Sequence, residues 1–418
     1  MVYKKVLSNG IRVVAEKMTS VKSVSIGLWV NVGSRDEEPE EHGISHFLEH
    51  MFFKGTEHRS AKDIAMEIDA IGGELNAFTS RESTTFYAKV LDEHLPQAID
   101  ILSDNFHFSK FNRREIEREK QVVIEEIKMV EDDPEDFVHD LYIKDIWKGN
   151  PLARPILGTE ETVSGITRKK ILRFLKRTYD PREIVISVAG RFDPSSLMAL
   201  LEESFGDYSP EKTALHPRQA PEITPHFHVK KRKLEQVHIC IGTPGLPQGH
   251  PDRYALYVMN NVLGGGVSSR LFQEIRERRG WAYTIYSYPS SYQDGGLLTV
   301  YAGASIQNAP RVIEHVIKEL KKVKKKGVKA LELERSKNHI KGNLMLSMES
   351  TSSRMSKLAK DELYFGRSFT FREIIREIDK VSLEQVRQLS DTLLDSGSLS
   401  LTALGKINSK MLPQSRTL

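Results

Sequence analysis

The residues best suited to chemistry are His46, Glu49 and His50, in the run His46-Phe47-Leu48-Glu49-His50. The spacing H-x-x-E-H is the inverted zinc-peptidase signature. Two histidines four positions apart project from one side of a helix, about one turn apart, so both imidazoles can reach one metal ion. The glutamate between them is placed to act as general base toward a water on that metal. A chain of this composition is expected to hold about 0.04 such matches by chance, so the spacing is a specific signal. The competing reading is a solvated helix face that happens to carry two histidines.

The elements that must hold these groups can be read from periodicity. Ile44, Phe47, Leu48, Met51 and Phe52 follow the i, i+3, i+4, i+7, i+8 pattern of a buried stripe. At roughly 100° per residue, His46, Glu49 and His50 fall on the opposite face, so the helix is held from behind. A second helix is expected from Asn112, with Glu115 completing a capping box, to about Glu131. Its apolar stripe is Ile116, Val123, Ile127 and Val130, and Glu119 and Glu126 lie two turns apart along the edge of that stripe. A carboxylate at the edge of a core is costly unless a cation or donor satisfies it, which makes Glu126 a candidate third metal ligand. A surface glutamate beside a core is the alternative.

Composition bounds the function classes. With 418 residues, 39% hydrophobic and 28% charged, the chain can bury a large core in two to four modules. Sixty-one basic and 57 acidic residues leave a net charge of only +4, which calls for neither nucleic acid nor an anionic membrane. Cys240 is the sole cysteine, so no intrachain disulfide can form and any metal falls to histidine and carboxylate. Met1-Val2-Tyr3-Lys4-Lys5 does not open a signal peptide, and no stretch approaches the ~20 apolar residues of a membrane span. A cytoplasmic location is expected.

The rest of the chain reads as mixed helix and strand. Ser23 to Val32 alternates, with Val24, Ile26, Leu28, Val30 and Val32 on one side, the pattern of a strand with one buried face. An acidic loop, Gly33 to Glu41, leads into the metal helix. Leu75 to Phe78 and Ser83 to Val90 are expected strands, and Glu93 to Phe106 a helix. Periodicity fades between Ser209 and His228, where Pro210, Pro217, Pro221 and Pro225 mark a linker. Beyond it the order strand, helix, helix, strand, strand, helix returns, with Val237 to Gly242, Arg253 to Leu263, Ser269 to Arg278, Ala282 to Ser287, Leu297 to Ala302 and Ala309 to Lys324. Repetition at half-chain spacing suggests an internal duplication in which the second copy lacks H-x-x-E-H. The fold class expected is α+β: two homologous α/β-sandwich halves, residues 1–208 and 229–418, joined by a linker at 209–228.

With His46, Glu49, His50 and Glu126 in view, the sequence resembles the pitrilysin-type zinc peptidases, closest to the bacterial processing-peptidase-like branch, over nearly its whole length. The resemblance implies one Zn²⁺ per chain held by His46, His50 and Glu126, with Glu49 as general base and Glu119 supporting the site. It also implies that Asn76, Ala77 and Phe78, in Gly72-Gly73-Glu74-Leu75-Asn76-Ala77-Phe78-Thr79, form an edge strand to which an extended peptide adds. Arg276 and Tyr283, seven apart, match a family Arg and Tyr that grip the substrate or polarise its carbonyl. Asp136 and Asp140 match acidic positions that bind an arginine near the cleavage site, where the family has Glu and Asp. The implied partner is an unfolded peptide or small protein. The implied assembly is a homodimer, with a heterodimer containing an inactive relative as second choice. The alternative function is a peptide-binding structural or chaperone-like relative without turnover; such relatives typically lose the zinc motif, which is intact here.

Overall fold

The computed structural model describes residues 2–209, 217–395 and 397–412. In chain order the strands are β1 (Val2–Val6), β2 (Arg12–Lys17), β3 (Ser23–Val30), β4 (Glu74–Thr79), β5 (Thr84–Leu91) and β6 (Ile184–Gly190). They are followed by β7 (Phe227–Lys231), β8 (Gln236–Pro244), β9 (Ala282–Ser291), β10 (Gly296–Ser305) and β11 (Ser400–Gly405). The helices run α1 (Ile44–Met51), α2 (Ala61–Ala70), α3 (Leu95–Phe108), α4 (Arg113–Asp132), α5 (Pro134–Ile146), α6 (Glu160–Ser164), α7 (Arg168–Thr178) and α8 (Pro194–Phe205). The later ones are α9 (Arg253–Leu263), α10 (Ala309–Lys326), α11 (Ala330–Ser347), α12 (Thr351–Phe365), α13 (Phe371–Lys380) and α14 (Leu383–Leu393). No helix among the described residues is long and apolar enough to cross a membrane.

The chain forms two compact units, each built on one sheet. The first comprises Met1–Lys128, Arg154–Arg218 and Ser347–Ser368; the second comprises Met129–Ala153, Gln219–Leu346 and Phe369–Leu418. These boundaries differ from the simple halves 1–208 and 229–418. The segment holding α5 belongs to the second unit, and the segment holding α12 to the first. Part of the expected linker, residues 210–216 with Pro210, lies outside the described residues.

The two sheets share one plan. The first has the order β1-β2-β6-β3-β5-β4 and the second β7-β11-β8-β10-β9. In each, one pair is parallel (β2 with β6, β7 with β11) and the others are antiparallel. Apart from the extra β1, the strands correspond one to one, as a duplicated α+β module requires.

β3 departs from the one-sided strand expected of it, because all its residues after Ser23 are buried. Val24, Ile26, Leu28 and Val30 join the large core with Ile44, Phe47 and Leu102. Trp29, on the other face, packs with Val14, Val185, Met355, Leu358 and Ala359. α12 thus covers the second face, and Ser25 Oγ lies 2.8 Å from Thr351 Oγ1 there. Gly27 allows this approach, since a Cβ at that position would meet Met355 Sδ at 2.8 Å.

The acidic loop is also unlike a solvated run. Glu41 is fully buried and pairs with Arg173 at 2.9 Å and Arg177 at 2.7 Å. Asp36 pairs with Arg218 at 2.8 Å. Arg35 and Glu82, both buried, pair at 2.5 Å. These charges hold the loop in place.

Candidate metal centre

α1 carries the motif and is anchored as its periodicity demands. Ile44, Phe47, Leu48, Met51 and the following Phe52 are all buried. The chemical side is recessed rather than solvated, with His46 only 6% exposed. The helix begins at Gly43, whose φ of +86° only glycine adopts readily. A Cβ on Gly43 would lie 2.5 Å from the Leu157 carbonyl oxygen. No side chain at the cap itself satisfies the first amides. Glu37 does so from outside: its carboxylate accepts from Gly43 N–H and Ser45 N–H, each at 2.8 Å. Burial pushes the Glu37 carboxyl up to about 8, while those amides and Arg154 favour its anion. Gly43→Ala is expected to destabilise the protein by more than about 1 kcal/mol, through strain and the backbone clash. Urea unfolding reads this directly, and an unchanged midpoint would mean the loop relaxes without cost.

α4 supplies the carboxylates. Glu119 falls in the buried row with Ile116 and Val123, while Glu126 is half-buried. His46 Nε2 lies 3.7 Å from Glu126 Oε2, and His50 Nε2 lies 3.4 Å from the same oxygen. The three residues offer ligand atoms all within 4.8 Å of one another. A tetrahedral ion with bonds of about 2.0–2.1 Å to N and O sets its ligand atoms about 3.3–3.4 Å apart. The observed spacings approach that value, and two histidines with one carboxylate are a donor set of catalytic zinc sites, so these residues fit zinc.

Glu119 orients one of the ligands. Its Oε2 lies 3.2 Å from His50 Nδ1, and its Oε1 takes an ion pair from Lys54 at 2.6 Å. A proton on Nδ1 facing Glu119 leaves the Nε2 lone pair directed at the shared centre. Glu119→Gln is expected to weaken zinc affinity by roughly 10- to 100-fold. Titration against a competing chelator measures this, and an unaltered affinity would remove Glu119 from the site. Lys54 and Glu37 were not singled out from the sequence. Lys54 follows His50 by four residues, just past the end of α1, a spacing that could have flagged it; Glu37 was hidden in the acidic run.

Electrostatics fit the assigned roles. Burial, together with His50, lowers the His46 pKa to about 3, so its imidazole stays neutral and able to ligate. Burial raises the Glu49 carboxyl, against a hydrogen bond from Thr79 and the attraction of His50, and Glu126 adds to the rise. Glu49 Oε2 is buried without a hydrogen-bond partner among the described residues. A carboxylate so placed gains by taking up a proton.

β4 is the edge strand of its sheet, pairing among the described residues with β5 alone. Ala77 is buried, while Asn76 and Phe78 are exposed on the other side. Ala77 N–H donates to Asn76 Oδ1 at 2.8 Å. The Phe78 ring meets Trp29 edge-on at 5.4 Å. A cavity of about 610 Å³ adjoins the strand, lined by Phe53, Ile64, Ile68, Leu75, Asn76 and Tyr87 among others.

The four remaining sequence-derived residues belong to the second unit. Asp136 is in the first turn of α5, its N–H donating to Asp133 Oδ1 at 3.1 Å, and Asp140 lies one turn on. Burial raises the Asp136 carboxyl, with Asp133 and Glu135 adding to it. Arg276 lies in a π-helix, Phe272–Glu277, within the stretch Ser269 to Arg278 expected to be helical. Tyr283 begins β9 with its side chain 76% exposed.

Comparison with known proteins bears on this geometry. Residues 12–160 match the family model described as Insulinase (Peptidase family M16), and residues 165–340 match that of the Peptidase M16 inactive domain. A Bacillus subtilis protein named uncharacterized zinc protease is 47% identical over 393 residues, 94% of this chain and 96% of that one. The chain belongs to the M16 peptidase family. A Streptomyces coelicolor protein of the same printed description is 39% identical, covering 97% of this M16 chain and 89% of its own. Among solved structures, a Pseudomonas fluorescens protein described as peptidase M16 inactive domain has a TM-score of 0.91 at 18% identity, covering 98% of each chain. A Helicobacter pylori protease has a TM-score of 0.91 at 20% identity, covering 97% of this chain and 99% of its own. These structures establish the M16 fold, in which two α+β modules share one chain.

Proposed function

We propose that this M16 chain is a zinc-dependent endopeptidase acting on unfolded peptides, with His46, His50 and Glu126 as metal ligands. The observation that carries the reading is the convergence of those three side chains beside Glu49, a half-buried carboxylate whose Oε2 is buried and unpartnered among the described residues. The zinc-protease names of relatives at 39% and 47% identity support it. Zn²⁺ there supplies Lewis acidity toward water and a peptide carbonyl. Glu49 takes the proton of the attacking water and returns it to the departing amine nitrogen. His46 stays neutral as a donor, and Glu119 fixes the His50 ring. β4 offers main-chain groups at its open edge for an extended substrate, with Asn76, Ala77 and Phe78 alongside it. The adjacent cavity takes a substrate side chain. Arg276 and Tyr283 contact the substrate carbonyl, and Asp136 and Asp140 favour a basic residue near the cut. A homodimer is the assembly we propose, two copies bringing four related modules around the peptide.

The test is cleavage of quenched peptides with basic, acidic and neutral sites, by protein stripped with chelator and then reloaded with zinc. Cleavage restored by zinc supports the peptidase, and the panel reads the basic preference. Folded, zinc-loaded protein that cuts none of them would favour the peptide-binding reading.

A further inference from the structure

Arg276 is held in an unusual way. Three arginines cluster at the end of the π-helix, and two are neutralised: Arg278 pairs with Glu274 at 2.5 Å and Arg279 with the same carboxylate at 2.6 Å. Arg276 has no ion pair or hydrogen bond to its guanidinium among the described residues. Its charge instead sits over two rings, with Cζ 4.6 Å from the Phe272 centroid and 5.2 Å from that of Tyr283. The Tyr283 side chain is 76% exposed and offers little rigidity of its own. Phe272 is half-buried, and its neighbours Leu271 and Ile275 are fully buried in the core of the second unit. The turn is wide: Arg278 N–H reaches back to Gln273 O at 3.1 Å, the i to i−5 spacing of a π-helix. Such turns are rare and occur mostly as single insertions, frequently at functional sites.

We propose that Phe272 is the positioning residue for Arg276, a fixed aromatic wall that holds the guanidinium with its N–H donors free for a substrate carbonyl or carboxylate. An unrestrained arginine loses considerable rotamer freedom each time it binds. Stacking against an anchored ring removes part of that cost in advance. The inference rests on the reading of Arg276 as a substrate contact and adds the residue on which its guanidinium stacks.

The experiment compares Phe272→Leu, which keeps apolar volume without a ring, with Phe272→Tyr, which keeps the ring. Each is made in the wild-type and Arg276→Ala backgrounds, and kcat/KM is measured on a cleaved quenched peptide alongside thermal unfolding. Phe272→Leu is expected to lower kcat/KM by roughly two- to thirtyfold, the range of a cation–π contact. Phe272→Tyr should restore it, and the loss should vanish when Arg276 is already alanine. An unchanged kcat/KM in Phe272→Leu overturns the proposal, as does an equal loss in both backgrounds, which would mark a packing role. Should Phe272→Leu fail to fold, Phe272→Met carries the same comparison. If the zinc-loaded wild type cuts no peptide, it is the proposed function that has failed. The positioning role is then read from the Arg276 Nε–H NMR resonance, identified by its absence in Arg276→Lys. Displacement of that ring-current-shifted signal in Phe272→Leu supports the role, and an unmoved signal overturns it.

Discussion

Glu49→Gln is expected to lower kcat by roughly 10²–10⁴ while leaving one zinc per chain in place. Glutamine matches the glutamate in shape, so the packing behind α1, set by Phe47, Leu48 and Met51, is undisturbed. What disappears is the ability to accept a proton. Glu49 is suited to that task because burial disfavours its anion and raises its pKa. The same burial predicts that the neutral amide costs no stability, so the variant should melt at or above the wild-type temperature. His46, His50 and Glu126 are untouched, so zinc content measured by atomic emission should equal that of the wild type. Turnover at the wild-type rate would remove Glu49 as general base. Loss of zinc together with activity would instead assign Glu49 to holding the metal centre.

How much of this site could be read in advance depended on distance along the chain. The motif helix is local: five apolar side chains within nine residues define its buried face, and all five are buried. Glu126 was marked by helical phase as an acid beside a core row, and the structure brings it to both histidines. The second face of β3 was not legible, because α12, which covers it, lies more than 320 residues downstream and no local pattern announces it. Glu41 reads as one more acid in a polar loop until Arg173 and Arg177 arrive from α7. The π-helix at Phe272–Glu277 escaped for a different reason: its hydrophobic spacing, with Leu271 and Ile275 buried, also suits an α-helix. The assignment of α5 and α12 to units on the far side of the linker had no sequence signal at all. Periodicity shows which face of an element is apolar but not which sheet receives it.

Removing a ligand should have a larger effect than removing the base, because it takes the metal as well. His46→Ala is expected to abolish stoichiometric zinc binding and, with it, measurable cleavage. The argument turns on how the three donors are held. His50 is fixed by Glu119, and Glu126 is the most exposed of the three, with 39% of its side chain accessible. His46 is the buried donor, kept neutral by burial, and its Nδ1 has no partner among the described residues. With it gone, two donors remain and a water must complete the sphere, a poor substitute for an imidazole at a recessed site. The readout that avoids confusion with misfolding is the shift in melting temperature on adding zinc to chelator-stripped protein. At free zinc 1,000 times its Kd, binding to the folded state alone adds about 4 kcal/mol of stability. The wild type should therefore show a clear upward shift, and His46→Ala almost none, whatever the stability of each metal-free form. An equal shift in both would mean that zinc binds elsewhere in the chain, and the three-residue centre would have to be abandoned.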